Sequence, residues 1–245
     1  MRYLMTFSYD GSNYNGYQKQ PNVNTIQSEI ENKLKQINSN KQVDIHASGR
    51  TDAKVHALNQ KAHFDLDIDI SPENLKKALN SLINKDIYIK DIIEVNDEFH
   101  ARFNVKSKEY MYIINIGEYN PIEKDYVYQY NKKLNIEEMK KALNYLEGTH
   151  NFKSFTKAEV EKETNDFVRT IIKTNLLIEN DKITISFLGT GFMRYMVRNM
   201  VGTLIEIGEG KRKSEDIINI LEEEDRKKAG KTANPEGLYL KDVFY

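Results

Sequence analysis

Residues 43–66, VDIHASGRTDAKVHALNQKAHFDL, decide the fold. Two short strand patterns, Val43, Ile45, Ala47 and then Ala62, Phe64, Leu66, follow one another with only a loop between them. The opposite face of the second carries Lys61, His63 and Asp65. A helical pattern stands on each side of this pair. Upstream, Ile26, Ile30, Leu34 and Ile37 recur at helical spacing, with Asn24 as N-cap and Gln27 three residues on. Downstream, Ser71-Pro72-Glu73 is a strong helix start, with a cap, a proline in the first position and an acid in the first turn. Leu75, Leu79 and Leu82 continue that helix. Tyr3, Met5, Phe7 and Tyr9 alternate along an opening strand, and Ile87 to Val95 reads as a closing one. The order β-α-β-β-α-β is the split βαβ, or ferredoxin-like, unit.

The rest of the chain repeats the theme. Tyr110, Tyr112, Ile114 and Ile116 alternate along a strand, and Ile136, Met139, Leu143 and Leu146 mark a helix. Thr170 to Ile178 and Ile183 to Leu188 read as strands, Phe192 to Ile207 and Ile217 to Leu221 as helices, and a strand closes near Val243. The Glu222–Asp225 acids followed by Arg226, Lys227 and Lys228 read as a solvated helix end. The expectation is an α/β (α+β) protein of two ferredoxin-like halves, 1–105 and 106–245. They would share a continuous, mainly antiparallel sheet with a cleft between them.

Composition narrows the function. A chain of 245 residues with 39% hydrophobic and 30% charged residues can bury a real core. It has no cysteine, which removes disulfides, thiolate catalysis and cysteine-ligated zinc, and suits a reducing cytoplasm. No signal peptide and no membrane helix is expected. The net charge of -1 supplies no long-range attraction for phosphate, so a nucleic-acid partner would require local concentrations of positive charge. Lys19, Lys54, Arg102, Lys106, Lys108, Lys211, Arg212 and Lys213 are candidates.

Most familiar sites are missing. The histidines, His46, His56, His63, His100 and His150, lack metal-ligand spacing. Gly208-Glu209-Gly210-Lys211 fails as a phosphate loop because Ile205 stands where the first glycine belongs. Gly189-Thr190-Gly191 is too short for a dinucleotide fingerprint. What remains is the loop from His46 to Ala57, where small residues crowd around Arg50 and Asp52. On composition alone it is a tight turn with Asp52 capping its own backbone.

The residues Gly49-Arg50-Thr51-Asp52-Ala53 with Val55-His56-Ala57 resemble the catalytic signature of the bacterial tRNA pseudouridine synthase A family. The likeness runs along the whole chain, through Phe7-Ser8-Tyr9-Asp10-Gly11 with Tyr14, Gly16 and Gln18, and through Thr25-Ile26-Gln27. It continues in Phe99-His100-Ala101-Arg102-Phe103, Lys108-Glu109-Tyr110-Met111-Tyr112 and His150-Asn151-Phe152-Lys153-Ser154-Phe155. Met196-Val197-Arg198-Asn199-Met200-Val201-Gly202 and Pro235-Glu236-Gly237-Leu238-Tyr239-Leu240 complete it in order. Two positions depart from the pattern. The family usually has glycine where Lys54 stands and tryptophan where Tyr17 stands. Tyr17 keeps a ring with a polar tip, whereas Lys54 adds a charge two residues from the aspartate and bears on substrate range.

The resemblance implies the pseudouridine synthase fold. It also implies an isomerase that converts uridine to pseudouridine at positions 38, 39 and 40 in the anticodon arm of tRNA. It implies a homodimer, and neither cofactor nor metal. Asp52 would be the nucleophile, attacking sugar or pyrimidine or stabilising a sugar-derived intermediate; the sequence leaves these routes open. Tyr110 would stack on the target base, where its strand pattern alone suggests core packing. Arg198 would pair with the aspartate, where helix position alone suggests a solvated charge. Arg50 would fill the gap left by the extruded base, or else be an ordinary surface charge. The competing reading is a tRNA-folding module of the same fold that has lost turnover. A generic RNA-binding ferredoxin-like domain would carry aromatic RRM motifs on its central strands, and none is present.

Overall fold

The computed structural model describes residues 1–157 and 166–245. Ten strands, mostly antiparallel, and five α-helices are present among them. The chain divides into two compact units, residues 1–106 with 239–245, and residues 107–238.

In the first unit β1 (Arg2–Tyr9) is the central strand, antiparallel to both β3 (His56–Asp65) and β4 (Ile87–Val95). Its alternation is realised in full, since Tyr3, Met5 and Phe7 are completely buried and Tyr9 nearly so. β2 (His46–Ala47) pairs with β3 through His46–His63 and Ala47–Ala62. β10 (Leu238–Phe244) lies parallel to β3, with Tyr239 beside His56 and Leu240 beside Ala57. Two helices follow the expected order: α1 (Ile26–Ile37) buries Ile26, Ile30 and Leu34, and α2 (Pro72–Leu82) buries Leu75 and Leu79. The β-α-β-β-α-β reading is therefore correct, and Ser71 caps α2 as expected, accepting from the Asn74 amide.

Several details differ, each for a local reason. The cap of α1 is Thr25, one residue later than expected, and Ser28 closes the reciprocal capping box. Gln27 faces inward instead, its side chain accepting from the Lys19 amide and donating to buried Glu31. Val43 and Ile45 are buried without strand pairing, because the Ile45 amide donates to the Glu31 carboxylate at 3.2 Å. β3 begins at His56 rather than Ala62, directly after the Asp52 loop. Leu82 is exposed, and Ile83 beyond the helix end is buried.

The second unit has the strand order β5-β9-β8-β7, all antiparallel: β5 (Ser107–Asn115), β9 (Lys182–Gly189), β8 (Val168–Glu179) and β7 (Gly148–Asn151). A two-residue strand, β6 (Tyr128–Gln129), lies parallel to the end of β5. β6 and β7 escaped the sequence reading. β5 stops before Ile116 because the Asn115 side chain ties the following turn, donating to Glu118 O and accepting from Gly117 N. α3 (Ile136–Leu146) buries Met139, Ala142, Leu143 and Leu146, and α5 (Asp216–Glu223) buries Ile217, Ile220 and Leu221. α4 spans Met196–Gly208 and does not begin at Phe192. Tyr195 takes a left-handed φ of 65°, which breaks any helix entering from Phe192. Arg226 is not part of a solvated helix end. Its guanidinium donates to Asn199 Oδ1 at 2.9 Å, Thr232 Oγ1 at 3.0 Å and the Ala229 carbonyl. Among the described residues no helix is long and apolar enough to cross a membrane.

Candidate functional site

The loop between β2 and β3 carries Arg50 and Asp52 in the first unit. It is built on close backbone approaches from the segment after β1. Gly16 has φ 95°, and a Cβ there would stand 3.0 Å from the Thr51 carbonyl and 3.3 Å from Asp52 C. That gap lets the Tyr17 amide donate to Thr51 O at 3.1 Å. Gly11 works the same way further along, since a Cβ on it would lie only 2.1 Å from Val55 O. The Gly11 amide in turn donates to His56 Nδ1 at 3.1 Å. The loop also closes on itself, with Val55 N donating to Asp52 O at 3.2 Å.

Side chains hold the loop from the sheet side. Thr51 is buried, and its hydroxyl lies 2.8 Å from the buried Tyr9 hydroxyl. Gln60, fully buried on β3, donates from Nε2 to Gly49 O at 3.0 Å and accepts from the Ser48 hydroxyl at 2.7 Å. Burial pushes the Tyr9 phenol up to about 12, so it stays protonated at any physiological pH. The rings of Phe7, Tyr9 and Tyr17 cluster with centroids 6.0–6.5 Å apart beneath the loop. The result is an acid, Asp52, half-buried at the top of a turn fixed on both sides, with Arg50 and Lys54 exposed beside it. Lys54 holds a left-handed backbone with φ 64°. The turn predicted from composition is real, and its rigidity comes from partners far away in sequence.

Tyr110 and Arg198 belong to the second unit. Tyr110 lies on β5 opposite Phe187, mostly buried, with the Phe192 ring edge-on at 5.1 Å. Arg198 sits in the first turn of α4. Its Nε donates to the Ala233 carbonyl at 2.8 Å and its guanidinium lies 4.8 Å from the Tyr195 ring centroid. The Ala233 amide returns a bond to the Arg198 carbonyl at 3.0 Å. Arg198 is thus a held, half-buried arginine and not a solvated one. The left-handed turn at Tyr195 that shortens α4 is also what sets its ring against Arg198.

The candidate phosphate contacts divide. Lys19 is paired with buried Glu31 at 2.9 Å, Lys211 with Glu209 at 2.7 Å and Arg212 with Glu206 at 2.7 Å. Arg50, Lys54 and Arg102 are exposed. Sequence reasoning missed Tyr9 and Gln60 as parts of the site. Tyr9 read as one more core residue of β1, and the only signal for Gln60 is a polar residue at a position the strand buries.

Comparison with known proteins agrees with this architecture. A family model described as tRNA pseudouridine synthase matches residues 5–104 and 142–245. A protein named tRNA pseudouridine synthase A from Exiguobacterium sp. (strain ATCC BAA-1283 / AT1b) is 48% identical over the whole of this chain and 98% of its own length. Proteins of the same name from Geobacillus sp. (strain WCH70) and Caldicellulosiruptor saccharolyticus are 45% and 44% identical, with 98% of each covered. Matches of this identity along both chains, with the Asp52 loop inside the matched region, place the chain in a family: it belongs to the tRNA pseudouridine synthases.

Proposed function

We propose that this chain isomerises uridine to pseudouridine at positions 38, 39 and 40 in the anticodon arm of tRNA, as a homodimer, with Asp52 as its nucleophile. The observation that carries the reading is the Asp52 turn. It presents the only acid of residues 48–55, half-buried, on backbone tied by Tyr17, Gly16 and Gly11. Such fixation is what covalent or electrostatic catalysis by a carboxylate requires.

The reaction breaks the bond from N1 of the base to the sugar, turns the base, and joins its C5 to the same sugar carbon. The C5 proton is lost and N1 gains one, so atoms and electrons balance without oxidant, reductant or group donor. Asp52 would take up the sugar or the ring between the two steps. Tyr110 would stack on the base, Arg198 would orient the carboxylate and keep it ionised, and Arg50 would occupy the space the base leaves. A near-neutral chain gains from dimerisation, because two subunits pool their exposed cations along one RNA.

The test is to incubate purified protein with an unmodified tRNA transcript bearing uridines at those positions and to map pseudouridine by carbodiimide adducts. Conversion by the wild type and none by Asp52→Asn, at similar tRNA affinity, is the expected result. Binding without conversion by the wild type would make this a folding module, and multiple turnover by Asp52→Asn would remove the aspartate from the chemistry.

A further inference from the structure

We propose that Tyr9 and Gln60 are positioning residues for the Asp52 carboxylate, acting through the Thr51 hydroxyl and the Gly49 carbonyl; this rests on the reading of Asp52 as nucleophile. None of the three side chains is charged, and all are buried: Tyr9 and Thr51 are 4% and 8% exposed, and Gln60 is sealed.

Two sets of hydrogen bonds reach the loop from the core. Gln60 Oε1 already accepts from the Ser48 hydroxyl at 2.7 Å and from the Lys61 amide at 3.1 Å. Its Nε2 donates to Gly49 O at 3.0 Å. The Tyr9 hydroxyl meets Thr51 Oγ1 at 2.8 Å, with either oxygen able to donate. One path runs from the β3 core through Gln60 to Gly49, and the other from β1 through Tyr9 to the residue preceding Asp52. The second joins the Tyr17 amide, which holds the Thr51 carbonyl at 3.1 Å. Thr51 is therefore held by side chain and backbone together, and the Cα–Cβ direction of Asp52 is inherited from that fixed neighbour.

A misplacement of about an ångström at a reacting group lowers rate far more than affinity. Tyr9→Phe keeps the ring packing and removes only the hydroxyl, and Thr51→Val keeps the shape and removes the other hydroxyl. Both should lower kcat by about tenfold while KM for tRNA stays within about twofold. Thr51→Ser, which retains the hydroxyl, should recover most of the rate lost by Thr51→Val. The double variant Tyr9→Phe/Thr51→Val should be no slower than either single one, because the two lose one shared interaction. The measurement is single-turnover and steady-state kinetics on a tRNA transcript, at a temperature well below the Tm of every variant. Unchanged kcat in both single variants, multiplicative losses in the double, or a failure of Thr51→Ser to recover rate would overturn the proposal. A wild type that forms no pseudouridine overturns the nucleophile reading first and this one with it, so the two failures are told apart by the wild-type lane.

Discussion

The backbone amide of Tyr17 donates to the carbonyl of Thr51 across 3.1 Å, and the residue that permits this approach is Gly16, at φ 95°. Alanine at Gly16 brings two costs, a strained backbone and a Cβ 3.0 Å from Thr51 O. Gly210, at φ 75° with nothing within 4 Å of the same added atom, brings only the first. Gly210→Ala should cost about 1–2 kcal/mol in urea unfolding and leave the rate of pseudouridine formation alone. Gly16→Ala should cost more than that and slow turnover as well. Equal stability losses and equal rates would show that the approach under Thr51 does not matter.

Lys54 holds a left-handed φ of 64° with an exposed side chain. Lys54→Gly relieves roughly 1–2 kcal/mol of backbone strain and gives back roughly 0.5–1 kcal/mol through the freer unfolded chain. Stability should rise by about 0–1.5 kcal/mol. If the ammonium meets an RNA phosphate, the variant binds tRNA more weakly and the slope of log affinity against log salt becomes shallower by about one contact. Turnover at saturating tRNA should hold, because that contact exists in ground and transition states alike. Parallel salt slopes for the two proteins would assign the lysine to solvent.

Tyr17 is 2% exposed, and its hydroxyl has no hydrogen-bond partner among the described residues. Removing an orphaned buried hydroxyl recovers desolvation free energy of about 1–3 kcal/mol, less any loss of packing. Tyr17→Phe should therefore raise the urea midpoint by an amount worth about 1 kcal/mol, with the Phe7–Tyr9–Tyr17 ring cluster intact. A lower midpoint would mean that the hydroxyl contributes favourably to the fold.

His63 is buried against His46 and His100, with ring centroids 4.9 and 4.6 Å away, and its Nδ1 accepts from the Ala101 amide at 3.1 Å. Burial, then the neighbouring His100, His46 and Arg2, push its pKa down from 6.5 to about 4, and Asp65 opposes them weakly. Burial lowers His100 as well. Between pH 6.5 and about 4 the unfolded chain takes up a proton that folded His63 refuses. Its contribution to stability is thus complete above pH 6.5 and declines as pH falls toward 4. His63→Asn keeps an acceptor for Ala101 and removes the titration. Urea unfolding at pH 7 and pH 4.5 should show a smaller acid loss in the variant, and identical losses would exclude His63 as a source.

Local signals were legible wherever the chain satisfied its own hydrogen bonds. Ser71-Pro72-Glu73 marks the start of α2 correctly because cap, proline and acid all act within one turn. Thr25 was passed over because its partner in the capping box is Ser28, while Gln27, the obvious candidate, is drawn inward by Glu31. Val43 and Ile45 show strand alternation, yet a helix carboxylate takes the Ile45 amide and the pairing shrinks to His46–Ala47. Asp52, Arg50, Tyr110 and Arg198 stood out through motifs spread along the whole chain. Tyr9 and Gln60 could not stand out, because their importance lies in contacts 42 and 11 residues away from their own positions. Arg226 misled for the same reason, since the acids beside it suggested solvent and its partners, Asn199 and Thr232, lie outside its segment.

The strand that flanks β3 in the first unit comes from the last residues of the sequence, 239–245, with the Lys106 amide donating to Phe244 O and Asn59 to Lys241 O. Translation runs at roughly 5–20 residues per second, so the ribosome spends roughly 7–27 s between making residue 106 and making that strand. Throughout that interval the His56–Ala57 end of β3, which leads directly out of the Asp52 loop, lacks its partner strand and presents an open edge. The nascent first unit is then a target for holdase chaperones and for mispairing. A chain cut before residue 239 lacks the strand that completes this unit and keeps that exposed edge.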